Sequence, residues 1–518
     1  MTIATLPPIR RARGRPVTRD RWLLLGLTLL LIGSGIGLRE PTGVDEERFA
    51  GIALEMLQSG EWLIPHRAGE VYSDKPPPFF WLVALGTWLT GSAALALRLP
   101  ALAAALASVV LVQDLGARLW HRRVGLAAGL VLLATWQWVT VLRDGQIDGL
   151  LVLWTTLGLY GMVRHLALGP RWGWYAVAWA AMGLGIVTKG VGFLPLLLFI
   201  PYAVGLRRRA RWLVRPPAGD RRWWLGPICL VAATLVWLGP LLVRVAGASD
   251  PALADYLRDL FLRQTGERLV AAWQHREPFW YFAVEVIPLY WLPVVALLPW
   301  LVPRWRRALA RGDGRLLLLL GWVVLVVLFF SLSTGKRKVY VVPALPALAL
   351  AAAPIVLAHV RRLTRITGRR RLVRLAVAVY FAGLRADVLA EPWLEADGDS
   401  RHALMARVAG RIGPDAELAL VGWRDGYWLH ARNPLVHWGY RATPAEVPRA
   451  AAWLRDGRNR WLLGPAGLLA PCFGLEGAVR IGRDKDELYL VHAGHASGGC
   501  GEPTPGPRYH FRWHTPYG

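Results

Sequence analysis

Residues 44–81 read VDEERFAGIALEMLQSGEWLIPHRAGEVYSDKPPPFFW, and where this stretch is placed decides how the rest of the chain folds. It lies between an apolar run at 22–38 and another at 93–115, yet it carries too many charges to cross a bilayer itself. Phe49, Ile52, Ala53, Met56 and Leu57 recur at helical spacing, which predicts an amphipathic helix lying along a membrane surface. Asp45 lies four residues before Phe49, so its carboxylate falls at the end of the apolar face, whereas Glu46 and Glu47 are expected to point off it. Such a carboxylate is partly desolvated and able to act as a base; a helix-capping carboxylate fits the same residues equally well. Asp74 and Lys75 then meet three prolines. Residues 79–90, apolar but too short to span, belong on the same outer surface.

Composition sets the class. A chain of 518 residues with 54% hydrophobic residues and 28 Trp has more apolar surface than a water-soluble fold of ordinary composition can bury. The net charge of +26 would suggest a nucleic-acid partner for a soluble protein, but no RNA- or DNA-binding motif accompanies it, and its distribution says more than its size. Arg10, Arg11, Arg13, Arg15, Arg19 and Arg21 precede the first apolar run, which lacks a small-residue cleavage site and reads as a retained span starting in the cytoplasm. Further spans are expected at 93–115, 124–142, 147–163, 172–187, 191–206, 223–245, 279–302, 316–332, 339–359 and 375–389. On one side of these the loops are Arg-rich each time, the positive-inside pattern repeated.

The expected fold is therefore mainly α: a polytopic membrane protein of about eleven transmembrane helices, with a small C-terminal soluble α/β domain. Residues 1–21 form a basic cytoplasmic N-terminus. Residues 22–390 form the membrane domain, with outer loops at 39–92 and 246–278. Residues 391–518 form an outer, periplasmic domain, in which alternating apolar runs at 417–421, 461–463 and 487–491 read as strands and 402–412 and 444–454 as helices. The Gly- and Pro-rich tail after Gly494 is expected to be loosely ordered. Cys472 and Cys500 both fall in this domain, where an oxidising compartment lets them pair, while Cys229 sits in an apolar span as a packing residue. No nucleophile elbow, phosphate-binding loop or metal-ligand spacing occurs there, and its role reads as acceptor recognition or structural.

Charge placement carries the functional reading. Lysine occurs only at 75, 189, 336, 338 and 485 among 61 Lys plus Arg, and four of these five fall in outer turns, where basic residues are otherwise disfavoured. A compact ammonium beside an apolar surface suits a phosphate, although snorkelling to lipid headgroups would place lysines similarly. Asp45, Asp74, Asp144 and Asp148 gather on the same side, and Asp148 opens an otherwise apolar helix, which is costly for a charge unless it is paired or solvated. Carboxylates to activate an acceptor and cations to hold a phosphate leaving group suit transfer of a group from a lipid phosphate. A non-enzymatic transporter of a lipid-linked sugar would instead need charged or broken helices near the midplane, and the spans are nearly free of ionisable residues.

The ordered motifs DEERFA, DKPPPFFWL, IDGLLVLW, GLGIVTKG, REPFWYF and FSLSTGKRKVYVVPALPALAL together resemble the bacterial aminoarabinose transferase and protein mannosyltransferase family of membrane glycosyltransferases, over about Arg39 to Ala352. The resemblance implies a C-type glycosyltransferase architecture, an undecaprenyl or other polyprenyl-phosphate sugar donor, an active site at the periplasmic face of the bacterial inner membrane, and inverting transfer to a hydroxyl or phosphate. Lipid A is the acceptor in the aminoarabinose branch; an envelope protein or glycan is the acceptor in a protein O-mannosyltransferase-like reading. By the same resemblance Asp45 is the base and Asp148 the acidic residue that opens the fourth span, with a catalytic role. Lys75, Arg268, Lys336, Tyr340 and, with them, Lys189 contact the donor phosphate or lipid. Two departures stand out. Asp74 replaces the usual Glu, and Arg337-Lys338-Val339 replaces the usual Leu-Pro-Pro. No cofactor is required by this reading; a divalent cation, if held, would use Asp74 and His275.

Overall fold

The computed structural model describes residues 17–41, 43–215, 219–247, 251–260, 276–367, 370–394, 400–440, 445–497 and 499–512. Arg268 and His275 lie outside the described residues. Eleven helices lead the chain: α1 (Val17–Thr28), α2 (Gly43–Ser59), α3 (Pro78–Thr90), α4 (Ala93–Leu119), α5 (Arg122–Ala134), α6 (Trp136–Arg143), α7 (Ile147–Ala167), α8 (Trp172–Lys189), α9 (Phe199–Arg207), α10 (Leu225–Ala246) and α11 (Pro251–Arg258). The helices Gly314–Leu332 and Leu345–Thr367 complete the bundle, which is that of a multi-pass membrane protein.

By length and composition five described helical runs cross a membrane singly, at 93–119, 147–167, 221–246, 314–332 and 338–366, and two bent pairs raise the number to seven, against the eleven expected. Breaks inside the apolar runs account for part of this: the two bent pairs are counted among the seven, and the run at 191–206 is among the four that are not. The run at 124–142 is two helices, α5 and α6, turned 66° at Thr135, whose backbone leaves the helical region. The run at 279–302 turns by 96° between 282–290 and 295–310, around Pro293, which cannot supply a helical N–H. The run at 191–206 holds Pro195 and Pro201 and becomes a short 3₁₀ segment (Leu194–Leu198) followed by α9.

The basic loops meet at one end. Arg122 pairs with Asp20 at 2.6 Å, Arg21 with Asp114 at 3.2 Å, and Arg315 donates to the Leu119 carbonyl at 2.8 Å, so that the few acids of that side are spent on its many arginines. The opposite end carries α2, a hairpin of β1 (His66–Arg67) and β2 (Glu70–Val71), the starts of α3 and α7, and the end of α8.

The soluble domain packs on that second end. Its six-stranded sheet runs β6-β7-β5-β3-β4-β8, with β3 (Glu417–Leu420) parallel to β4 (Leu435–His437) and β5 (Arg460–Pro465), and β6 (Val479–Arg483), β7 (Glu487–Val491) and β8 (Tyr509–Phe511) antiparallel to their neighbours. The strand β8 lies in the tail expected to be loose. It is ordered by pairing with β4, by Tyr509 stacked on His437 (centroids 5.3 Å) and by Phe511 against Trp428 (4.7 Å). Cys472 and Cys500 are joined in a disulfide.

Helix α2 does not lie with one face to lipid and the other to water, as its periodicity suggests. Phe49, Ile52, Ala53 and Met56 are buried against Phe79, Phe80, Val83 and Ala84 of α3, with Phe49 and Phe79 at a centroid distance of 5.6 Å. The other face is covered by the soluble domain: Trp428 sits so close that a Cβ on Gly51 would come within 2.4 Å of its ring. Glu47 is buried under that domain, Glu55 beside the hairpin and Glu46 against the membrane part. The two ends of the bundle are opposite in sidedness. With Cys229 replaced by Ala, a Cys at exposed Ser59 should react with a membrane-impermeant thiol reagent in intact cells and a Cys at exposed Arg208 should not; equal labelling of both would overturn the arrangement.

Candidate active site

The first turn of α2 holds three carboxylates with three different fates. Glu46 is fully engaged: its carboxylate pairs with Arg98 of α4 at 2.6 Å and with Arg39 at 2.9 Å, and accepts from the Gly145 N–H at 2.7 Å. Arg98 in turn donates to the carbonyls of Ile36 (3.0 Å), Arg39 (2.5 Å) and Glu40 (2.9 Å). Glu46 is thus a structural tie, where helical geometry alone put it on a solvated face. Glu47 pairs with Arg401 of the soluble domain, which also bonds Asp484 at 3.1 Å.

Asp45 is the carboxylate left facing the outer turns. It pairs with Arg48, three residues on, and with Arg337 at 2.9 Å. Burial works to raise its pKa, but Arg48, Arg337 and Lys189 outweigh that effect and hold the carboxyl below its ordinary range. Beside it, Asp148 in the first turn of α7 pairs with Lys189 in the last turn of α8, both nearly buried. Each charge sits at the helix end that favours it. The Lys189 ammonium lies 5.0 Å from the centre of the Tyr340 ring. Asp45, Asp148, Lys189 and Tyr340 are therefore brought into one cluster.

Lys75 precedes the Pro-rich start of α3 and donates to the Asp74 carbonyl at 2.8 Å. Prolines suit a helix start, where an N–H would lack an intrahelical partner. Lys336 is placed differently from its neighbours. It is buried, and its ammonium donates to the carbonyls of Glu277 and Ser333, both at 2.6 Å, tying the end of the second outer loop to the turn 333–336. The next residue, Arg337, reaches Asp45, and Lys338 lies 5.1 Å from the centre of the Tyr290 ring. Arg48 and Arg337 were not singled out from the sequence. The signal available was Arg337-Lys338 standing in place of apolar and Pro residues; Arg48 carried none beyond its i,i+3 spacing from Asp45.

His275, the expected partner of Asp74 for a divalent cation, lies outside the described residues. Arg48 and Lys75 are the charged neighbours of Asp74, and no three described His, Cys, Asp or Glu side chains converge as ligands. The cluster is instead a cationic bowl, Arg48, Arg337 and Lys189, around two carboxylates. Such a bowl can hold phosphate oxygens and orient an attacking oxygen.

Comparison with known proteins agrees with this chemistry. Residues 74–237 match the family described as dolichyl-phosphate-mannose-protein mannosyltransferase. The chain is 30% identical over 449 residues to an undecaprenyl phosphate-alpha-4-amino-4-deoxy-L-arabinose arabinosyl transferase of Pseudomonas savastanoi, covering 84% of this chain and 76% of the relative. A protein of the same description from Pseudomonas fluorescens is 31% identical over 467 residues, covering 84% and 77%. In fold the chain is similar to ArnT from Cupriavidus metallidurans bound to undecaprenyl phosphate (TM-score 0.74, 21% identity, 93% of this chain and 100% of that one). It is also similar to the archaeal oligosaccharyltransferase AglB from Archaeoglobus fulgidus (TM-score 0.54, 12% identity, 87% and 69%).

Two stability predictions follow from the buried acids. Glu46→Gln leaves Arg98 and Arg39 short of a counter-charge and should cost about 3–5 kcal/mol, read as a clearly lowered Tm in detergent; an unchanged Tm would remove Glu46 from its structural role. Glu55 is buried with one oxygen accepting from the Gly69 N–H at 2.8 Å and the other unpartnered, and burial pushes its pKa up to about 7. Between its ordinary 4.5 and about 7 the folded state binds more protons than the unfolded one, so stability should fall as pH rises through that window. Glu55→Gln should flatten part of that slope in a Tm-against-pH series.

Proposed function

The chain belongs to the undecaprenyl phosphate-alpha-4-amino-4-deoxy-L-arabinose arabinosyl transferase family, and on that premise we propose that it moves aminoarabinose or a closely related sugar from undecaprenyl phosphate to a phosphate of lipid A. It is a glycosyltransferase that uses a polyprenyl-phosphate donor. We place the reaction at the periplasmic face of the inner membrane, with the soluble domain in the periplasm. The observation that carries the reading is Asp45 held between Arg48 and Arg337 beside the Asp148–Lys189 pair.

In the proposed reaction an acceptor oxygen attacks the anomeric carbon from the face opposite the phosphate. The bond from that carbon to the phosphate oxygen breaks, and polyprenyl phosphate leaves with the electron pair. Lys75 and the guanidiniums spread the charge that develops on the leaving phosphate. A carboxylate held below its ordinary range is a poor proton acceptor for an alcohol, whereas a phosphate monoester is already largely ionised at pH 7. Two arginines beside Asp45 would also offset its repulsion of an anionic acceptor. These points favour an acceptor phosphate over a protein hydroxyl, and Asp45 then chiefly orients the incoming group and takes any residual proton. The broken helices at Thr135 and Pro293 would suit a transporter, but the ionisable cluster sits at helix ends and turns of one face.

With purified enzyme, Asp45→Asn should keep donor KM and lower kcat by less than the roughly 10²–10⁴ of a lost general base, because Asp45 chiefly orients the acceptor. Lys75→Ala should raise donor KM and lower kcat together, because its charge acts on the donor phosphate in the ground state and more strongly on the charge that develops as the phosphate leaves. For a phosphate acceptor, kcat/KM should decline below about pH 6 as the acceptor takes up its second proton. A profile flat through that range, or transfer to serine or threonine peptides in place of lipid A, would point to the hydroxyl-acceptor reading.

A further inference from the structure

The parallel core of the soluble sheet reads β4-β3-β5: the chain leaves β3, builds β4 on one side, then passes back to build β5 on the other. Where strand order reverses in this way, the connections at the C-terminal edge part in opposite directions and open a crevice, the usual ligand position of open α/β sheets. Here the crevice is a solvent-open pocket of about 400 Å³ lined by Gly422, Trp423 and Arg424 after β3, Pro465 at the end of β5, Leu468 after it, and Asp486 from the β6–β7 turn. Tyr440, just past β4, closes its side. The size suits a small ligand.

The lining has a definite chemical character. Tyr440, with Arg67 over its ring, and part of the largely buried Trp423 indole, which packs against His437 and Trp428, supply aromatic surface, while Arg424 and Asp486 offer opposite charges. The neighbouring acids are engaged elsewhere: Asp425 takes Arg67 at 2.6 and 2.8 Å, and Asp484 takes Arg401 and the Tyr427 hydroxyl. Arg424 makes no ion pair among the described residues. A sugar ring matches this set, since its C–H face packs on aromatic rings and its hydroxyls or amine bond a carboxylate; an attached phosphate pairs with a guanidinium. The wall is also tied to the membrane part. Trp423 donates to Asp425 at 3.2 Å, and Arg67 of the β1–β2 hairpin lies 4.4 Å from the centre of the Tyr440 ring.

We propose that this crevice is a saccharide subsite that takes a phosphorylated amino sugar of the acceptor. The assignment to the acceptor rests on the transferase reading above; the binding itself does not. Full-length protein in nanodiscs would be labelled with a photoreactive diazirine derivative of glucosamine 1-phosphate and the modified peptides mapped. Labelling is expected at 422–424 or 465–468, displaced by free glucosamine 1-phosphate, lost in Arg424→Gln, and unchanged in Lys485→Gln, an exposed neighbour. Labelling only elsewhere, or labelling that free sugar does not displace, overturns the site. In transfer assays Arg424→Gln should raise the acceptor KM about tenfold with donor KM and kcat unchanged. An unchanged acceptor KM in a variant that has lost labelling would leave a site for a free sugar phosphate and overturn the acceptor assignment. Labelling of a wild-type protein that transfers nothing would instead retire the transferase reading and keep the site.

Discussion

The first outer loop depends on one buried carboxylate. Glu46 collects Arg98 from α4, Arg39 from the segment before α2 and the Gly145 N–H from the turn before α7, and Arg98 also donates to three carbonyls of the 36–40 segment. An ion pair this deep adds little net stability when compared with a well-packed apolar substitute, because both charges must leave water. What it supplies is position: three separate segments can meet there in one way, and Asp45, the preceding residue, inherits its place from that meeting. The reactive acid and the anchoring acid are adjacent in sequence because one turn of helix points them in different directions.

Much of this was legible from the residues. The apolar period of α2, the Arg-rich loops gathered at one end, and the lysines stranded at the other are local or one-dimensional patterns, and the structure brings Asp45, Asp148, Lys189 and Tyr340 together. The partners of Asp45 were harder to see. Arg337 belongs to a turn nearly three hundred positions away, and nothing in its own neighbourhood says that it reaches Asp45 while Lys336, one residue before, turns inward to carbonyls. The burial of Glu46 and Glu47 was not visible for a related reason. Helical periodicity sorts polar from apolar faces, but it cannot say that Arg98 and Arg39 will enclose Glu46 or that a second domain will cover Glu47. Breaks at Thr135 and Pro293 were hidden too, since a hydropathy window sums over a bend.

The chain separates two uses of arginine. At the basic end, guanidiniums outnumber their acids and mark which side of the membrane the loops stay on. At the other end nearly every described guanidinium near α2 has a designated carboxylate or carbonyl: Arg98 with Glu46, Arg401 with Glu47, Arg67 with Asp425, and Arg48 and Arg337 with Asp45. The first group acts through number and the second through geometry. Exchange for Lys discards the planar fork throughout the second group, and in the first only where a guanidinium such as Arg122 or Arg315 holds two acceptor atoms at once.

The contact of Trp428 with Gly51 bears on how such proteins can diversify. With no room for a Cβ between helix and ring, Gly51 can take a side chain only if Trp428 changes with it, and the same holds for Gly69 of the hairpin under Tyr509. The soluble domain is therefore not a cassette that begins after the last membrane helix. Its inheritable unit includes the helix and hairpin of residues 43–72, so a functional hybrid between two such proteins must exchange both pieces, although more than three hundred residues of membrane protein separate them in the gene.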